Sequence, residues 1–205
     1  MPAYVSLADL FRMGVASPTV RRLLLAGVDS FWKSGFHASS TREIAKRAKL
    51  SPAAVYVHFA CKEDLLFTII MAVAERLRDQ LRELAGQGGS PTELLKRLVH
   101  AYVAFPARTY KASLVANREF NSLTPAQRKQ IVKIRDELEA IVGDCLMAGK
   151  RSGEFKFENL SMTRMAVVSL CRSTLQWYSP RGKCAPEEIG DFYVDLILGM
   201  VGSSR

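Results

Sequence analysis

Residues 39–58 read SSTREIAKRAKLSPAAVYVH, and their punctuation is that of two short helices joined by a tight turn. Ser40 is followed three positions on by Glu43, the capping-box spacing in which each side chain can serve the other residue's backbone N–H. Ile44, Ala45 and Ala48 then recur on one face at helical spacing. Ser51-Pro52 restarts the chain: Ser51 can cap, and Pro52 suits the first helical position, where a missing N–H is no loss. About four residues join the helices, the length of a helix-turn-helix connection. The second helix is too short to be stable alone. Neighbours must hold its Ala54, Val55 and Phe59 side, which leaves Pro52, Ala53, Tyr56 and Val57 facing outward for a partner.

The surrounding charge favours a polyanion as that partner. The chain of 205 residues has a net charge of +9, unevenly distributed. Residues 1–62 hold nine Lys/Arg against three Asp/Glu, and the rest hold twenty against seventeen. A basic excess gathered around a docking helix is the electrostatic footprint of nucleic-acid binding. A hydrophobic content of 48% is enough for a proper core. The four cysteines, Cys61, Cys145, Cys171 and Cys184, form no CxxC pair, and with only three histidines there is no metal-ligand spacing. Reduced thiols in a cytoplasmic protein, with no metal and no cofactor, are therefore expected. Asp9 and Arg12 interrupt the mildly apolar start, which does not read as a signal peptide. No run approaches the ~20 apolar residues of a membrane span. Without GxSxG, HExxH or a phosphate-cradling glycine loop, an enzyme is not expected.

Elsewhere the pattern is helical throughout. Residues 1–16 read as a loose arm or a short extra helix. Ser17-Pro18 opens a helix whose stripe runs Val20, Leu23, Leu24, Gly27, Val28 and Phe31, with Gly35 as its stop. Cys61 to Asp64 opens a long helix, and the glycine-rich stretch before Ser90-Pro91 ends it. Ser90 with Glu93, Thr124-Pro125 with Gln127, Asn159, and Pro186 mark four later helix starts, and Phe105-Pro106 marks a break. The expectation is an all-α chain of about nine helices, with a helix-turn-helix unit in residues 16–76 and a second helical domain in residues 90–205.

The N-terminal third resembles the DNA-binding domain of the TetR family of bacterial transcriptional regulators. The resemblance rests on Phe31, Gly35 and Phe36, on Thr41-Arg42-Glu43-Ile44-Ala45, and on Leu50-Ser51. It continues through Ala54-Val55-Tyr56-Val57-His58-Phe59 and Lys62-Glu63-Asp64-Leu65-Leu66, in order and without gaps. It implies that Thr41 and Arg42 meet the DNA backbone and that a recognition helix of about residues 51–59 enters the major groove. Tyr56 and Lys62 would reach phosphates, and Pro52, Ala53 and Val57 would lie at base edges. Ser51 and His58 complete the DNA-binding set. Phosphate contacts of this kind set register, while groove-facing side chains read sequence. Two residues depart from the family pattern. Lys49 stands at a turn position where glycine is common and positive φ is expected, at a cost of about 1 kcal/mol. Cys61 replaces a good helix cap, again at about 1 kcal/mol.

Residues 90–205 resemble the family's ligand-binding and dimerisation domain, in which the last two helices pair with a second subunit. The resemblance implies a homodimer on a pseudo-palindromic operator in double-stranded DNA, acting as a repressor that a small molecule releases. Arg108-x-Tyr110, Ala116-Asn117-Arg118-Glu119, Leu123-Thr124-Pro125, Gly149…Gly153-x-Phe155 and Trp177-Tyr178-x-Pro180 are similar to regulators of fatty-acid and sterol degradation. The effector implied there is an acyl-CoA thioester, with Arg108, Arg118 and Arg172 as candidates for its phosphates and Trp177 for its adenine. Alternatives are a multidrug-efflux-type repressor with an apolar drug pocket, and a DNA-binding protein that responds to no ligand.

Overall fold

The structure is a computed structural model, and it describes residues 7–11 and 17–202. The remainder of the expected N-terminal arm lies outside the described residues. All regular structure among the described residues is helical. A short α1 (Leu7–Leu10) precedes nine longer helices: α2 (Pro18–Ala38), α3 (Thr41–Arg47), α4 (Pro52–His58), α5 (Lys62–Gly86), α6 (Pro91–Arg108), α7 (Tyr110–Arg118), α8 (Pro125–Ser152), α9 (Leu160–Trp177) and α10 (Pro186–Met200). A 3-10 turn, Phe120–Ser122, follows α7.

The helix starts form because their first N–H groups find side-chain acceptors. Ser17, Ser40, Ser51 and Asn159 accept from Thr19, Glu43, Ala54 and Met162, at 3.0–3.3 Å. Thr124 and Gln127 make both halves of a capping box, at 3.2 and 3.1 Å. Around Ser40 the carboxylate of Glu43 turns instead to Arg47, one turn on, at 2.8 Å. Gly35 breaks α2 with φ +78°, after which a last turn carries the chain to Ala38. Pro106 does not end α6, contrary to the reading of Phe105-Pro106 as a break. It lies in the final turn, where a single hydrogen bond is lost, and the helix runs to Arg108.

The chain divides into two compact units, each discontinuous in sequence: Met1–Glu75 with Arg108–Val132, and Arg76–Ala107 with Lys133–Arg205. The sequence-based limits, 16–76 and 90–205, are continuous. The first unit is centred on α2, whose Leu23, Leu24, Val28 and Phe31 are buried together with Ile44, Val55 and Phe59 of the helix-turn-helix. α7 packs on α2 in the same unit. Lys111 meets Asp29 at 2.7 Å, and Arg118 donates to the carbonyl of Phe31.

In the second unit, Leu95, Leu98, Tyr102, Leu138, Val142, Leu146, Val168 and Ile197 are buried. Gly149 is bare of necessity: a Cβ there would lie 2.0 Å from the Phe155 ring. The Gly149…Phe155 pattern thus describes the closure of α8, where Phe155 N–H donates to Gly149 O at 3.0 Å. The cysteines carry no disulfide, and burial pushes the Cys145 and Cys171 thiols up to about 12. No described helix is long and apolar enough to cross a membrane.

Lys49 has φ +55°, the left-handed conformation expected at that turn. Lys49→Gly removes a Cβ clash at no cost in contacts and is expected to raise stability by about 1 kcal/mol. Urea unfolding of the two proteins checks this, as a higher midpoint at unchanged slope.

Candidate nucleic-acid interface

α4 is held from one side only. Val55 is fully buried and Phe59 nearly so, while Pro52, Ala53, Tyr56, Val57 and His58 are exposed. Val57 is 76% exposed, an unusual position for a valine on a helix that needs every apolar contact it can make. Both faces lie where the spacing of residues 51–59 put them. Ser51 accepts from Ala54 N–H, so its hydroxyl is at the N-cap of α4.

Thr41, the first residue of α3, meets the hydroxyl of Tyr56 at 3.0 Å, which brings the start of one helix to the outer face of the next. Arg42 is exposed beside them, as are Lys46 and Lys49. Residues 39–62 contain five Lys/Arg and one carboxylate, that of Glu43. With Glu43 tied to Arg47, the local field is positive. An exposed helix face carrying apolar and hydroxyl groups, flanked by cations, can enter a groove and meet the phosphates along its edge.

The structure places Lys62 differently from the other site residues. Its ammonium donates to Phe36 O and Ser39 O, both at 2.8 Å, and approaches His37 O at 3.5 Å. It also stands 4.3 Å from the centre of the Phe36 ring. The first residue of α5 therefore closes the end of α2 and braces the entry to α3. An ammonium has three N–H groups, and carbonyl oxygens lie near all of them. Lys62→Ala is expected to lower stability by about 1–3 kcal/mol in urea and to weaken binding to all DNA sequences alike. The slope of log affinity against log salt should hold. A slope flatter by about one unit would return Lys62 to the phosphate-binding set.

Arg22 belongs to the site and escaped the sequence reading. Its guanidinium donates to Ala48 O and, at 3.0 Å, to Lys49 O, fixing the turn between α3 and α4. The carbonyls ending a helix need donors. Nothing local marks a residue on α2 as the one that supplies them.

Two of the four candidate ligand residues fall in each unit. Arg108 and Arg118 belong to the first unit, where Arg118 pairs with Glu119 and is bonded to α2 carbonyls. Arg172 and Trp177 lie on α9 in the second unit. Arg172 meets Glu139 at 3.4 Å, and Trp177 stacks near Tyr193 with ring centres 6.5 Å apart. Five positions along a helix turn them well away from one another.

Comparisons with known proteins agree with this architecture. Residues 23–69 match the bacterial regulatory proteins of the tetR family, and residues 88–201 match the tetracyclin repressor-like C-terminal domain. The HTH-type transcriptional repressor KstR2 of Mycolicibacterium smegmatis is 23% identical over 194 residues, covering 93% of this chain and 95% of that protein. A crystal structure of a TetR-family regulatory protein from Rhodococcus RHA1 superposes with a TM-score of 0.86 at 28% identity, over 92% of this chain and 100% of the other. The structure of AibR in complex with isovaleryl coenzyme A and operator DNA shares the fold at a TM-score of 0.76, with 18% identity over 89% of this chain and 97% of that one. With an exposed recognition helix, a positive flank and both domain matches in sequence order, the chain belongs to the TetR family of bacterial transcriptional regulators, DNA-binding proteins rather than enzymes.

Proposed function

We propose that the protein is a cytoplasmic, homodimeric repressor that leaves its operator when an acyl-CoA thioester of fatty-acid or sterol catabolism binds the second unit. The outward face of α4 carries the DNA-binding part of this reading. Thr41, Arg42, Ser51 and Tyr56 contact the backbone, Pro52, Ala53 and Val57 face base edges, and His58 lies at the phosphate side.

Dimerisation is supported by α9 and α10. Met162 and Met165 on α9, and Phe192, Leu196 and Met200 on α10, are large apolar side chains left exposed, Met162 by 68% and Phe192 by 65%. Ala166, Ser169 and Gly199, also exposed, permit close helix approach. A two-fold interface made by these helices would set the recognition helices about one DNA turn apart, ~34 Å.

The acyl-CoA reading draws on relatives: KstR2 and a fatty acid metabolism regulator by sequence, and AibR by fold. A ligand acts only through its different affinity for the DNA-competent and DNA-incompetent conformations. α5 and α8 both continue across the division between the units, so a shift along either can alter the spacing of the recognition helices.

The test is fluorescence anisotropy with the DNA beside the protein's own gene, at fixed salt. Dodecanoyl-CoA is expected to release the protein at concentrations where dodecanoate does not. Equal indifference to both sinks the acyl-CoA reading. Equal affinity for operator and random DNA would make the protein a non-specific binder instead.

A further inference from the structure

The regular part of α2 ends at Gly35, and the path of the chain after it decides where α3 starts and points. Gly35 has φ +78°, one further turn follows to Ala38, and Ser40 caps α3, whose first residues are Thr41 and Arg42. A helix interrupted at Gly35 leaves its last carbonyls short of donors. Side chains supply them in succession. Arg118, the last residue of α7, donates to Phe31 O through a nitrogen that also approaches Trp32 O at 3.5 Å. The Ser39 hydroxyl donates to Gly35 O at 2.7 Å and lies 3.2 Å from Ser30 O. Lys62 serves Phe36 O and Ser39 O.

These donors differ in origin. Ser39 and Lys62 act at the break and after it, whereas Arg118 comes from α7 and takes hold of α2 ahead of the break. Its own orientation is fixed. The Nε–H donates to Oε1 of Glu119 at 2.9 Å, and Glu119 is 8% exposed. That carboxylate lies against the break, since a Cβ on Gly35 would stand 3.7 Å from Oε1. A planar guanidinium held along one edge by a buried carboxylate is preorganised to donate from the other. Lys111, two turns earlier on α7, meets Asp29 at 2.7 Å and lies 4.8 Å from the centre of the Trp32 ring. Both grips of α7 on α2 therefore fall before Gly35.

We propose that Arg118 is a positioning residue for DNA binding: by holding the carbonyls ahead of Gly35 it sets the direction in which the chain leaves α2, and with it the approach of Thr41 and Arg42 to the DNA backbone. This rests on the reading of Thr41 and Arg42 as backbone contacts, and it takes Arg118 out of the ligand-binding set. α3 has seven residues and buries Ile44 and Ala45 among them, so apolar packing aims its first turn weakly. Hydrogen bonds to phosphates tolerate shifts of only a few tenths of an ångström, and a small error in aim is enough to lose them.

The experiment is a double-mutant cycle in operator affinity, read by fluorescence anisotropy with full-length Arg118→Gln, Arg42→Ala and the double variant. Arg118→Gln is expected to weaken operator binding about tenfold. Its affinity for random DNA should stay within about twofold of wild type, and the slope of log affinity against log salt should hold. Arg42→Ala should weaken operator binding in the wild-type background and add little after Arg118→Gln, because a misdirected α3 has already lost that contact. Arg118→Lys keeps the charge and a donor without the fork. It should fall between wild type and Arg118→Gln on operator DNA, and it carries the test if Arg118→Gln fails to fold. Arg128→Gln removes the same charge from an arginine bonded to Asn121 O instead of α2, and should keep operator affinity within about twofold.

Wild-type operator affinity in Arg118→Gln overturns the proposal. Equal loss on operator and random DNA with a slope flatter by about one unit also overturns it, and makes Arg118, whose side chain is 45% exposed, a phosphate contact itself. Equal loss on both at an unchanged slope overturns it as the sign of a smaller folded fraction. Additive losses in the cycle overturn it while leaving Arg42 a DNA contact. If Arg42→Ala is silent in the wild-type background, the backbone-contact reading of Arg42 falls and the proposal falls with it.

Discussion

Val57→Glu is expected to reduce operator affinity by at least a hundredfold with little change in the stability of the free protein. The side chain is three-quarters exposed, so replacement leaves no cavity, and surface substitutions of this kind shift stability within about 0.5 kcal/mol. In the complex the same position would carry a carboxylate into a groove edged by phosphates. Like charges at an interface cost several kcal/mol, and the dimer meets the penalty at both half-sites. Anisotropy with operator DNA reads the loss, and circular dichroism with urea unfolding shows the fold intact. Retained affinity would mean that α4 is not the reading element.

Phe192→Asp should separate the subunits. Phe192 is exposed on the apolar face of α10, its ring edge-on to that of Tyr193 with centres 6.2 Å apart. If α9 and α10 form the intersubunit bundle, two symmetry-related aspartates would be buried without partners. Truncating such an anchor costs about 2 kcal/mol or more, and an unpaired buried charge adds to that. Sedimentation at micromolar concentration should show monomer where the wild type is dimer. Operator affinity should fall to that of one half-site. A variant that remains dimeric would place the interface elsewhere.

What could be read in the sequence was local. Ser17-Pro18, Ser51-Pro52, Asn159 and the Thr124–Gln127 pair are helix starts because a side chain reaches a backbone group within three residues, and that reach is written in the spacing. The buried sides of α2 and α4 followed from periodicity for the same reason. The positive φ of Lys49 was an expectation of the family resemblance, which has glycine at that turn. The partners of long polar side chains were not legible. Lys62 closes on α2 carbonyls more than twenty residues away, and Arg118 reaches Phe31 across more than eighty. The same distance problem hid Arg22. An arginine's spacing says which face it occupies, but its anion or carbonyl comes from another helix. Pro106 marked the break only to within a turn: α6 runs two residues past it to Arg108 and α7 opens at Tyr110, because proline removes one helix bond without fixing the residue at which the chain leaves the helix.

The packing of α7 has a practical side for anyone wishing to rewire this regulator. Although α7 follows α6 in the chain and falls within the C-terminal family match, its salt bridge to Asp29 and its bonds to the Phe31 carbonyl weld it to the DNA-reading head. A chimera that swapped heads at the glycine-rich stretch near residue 88 would graft a foreign α2 onto a native α7. The fused molecule would then lack both welds unless the donor supplied matching groups. Transplanting residues 108–132 along with the head would keep the joint native.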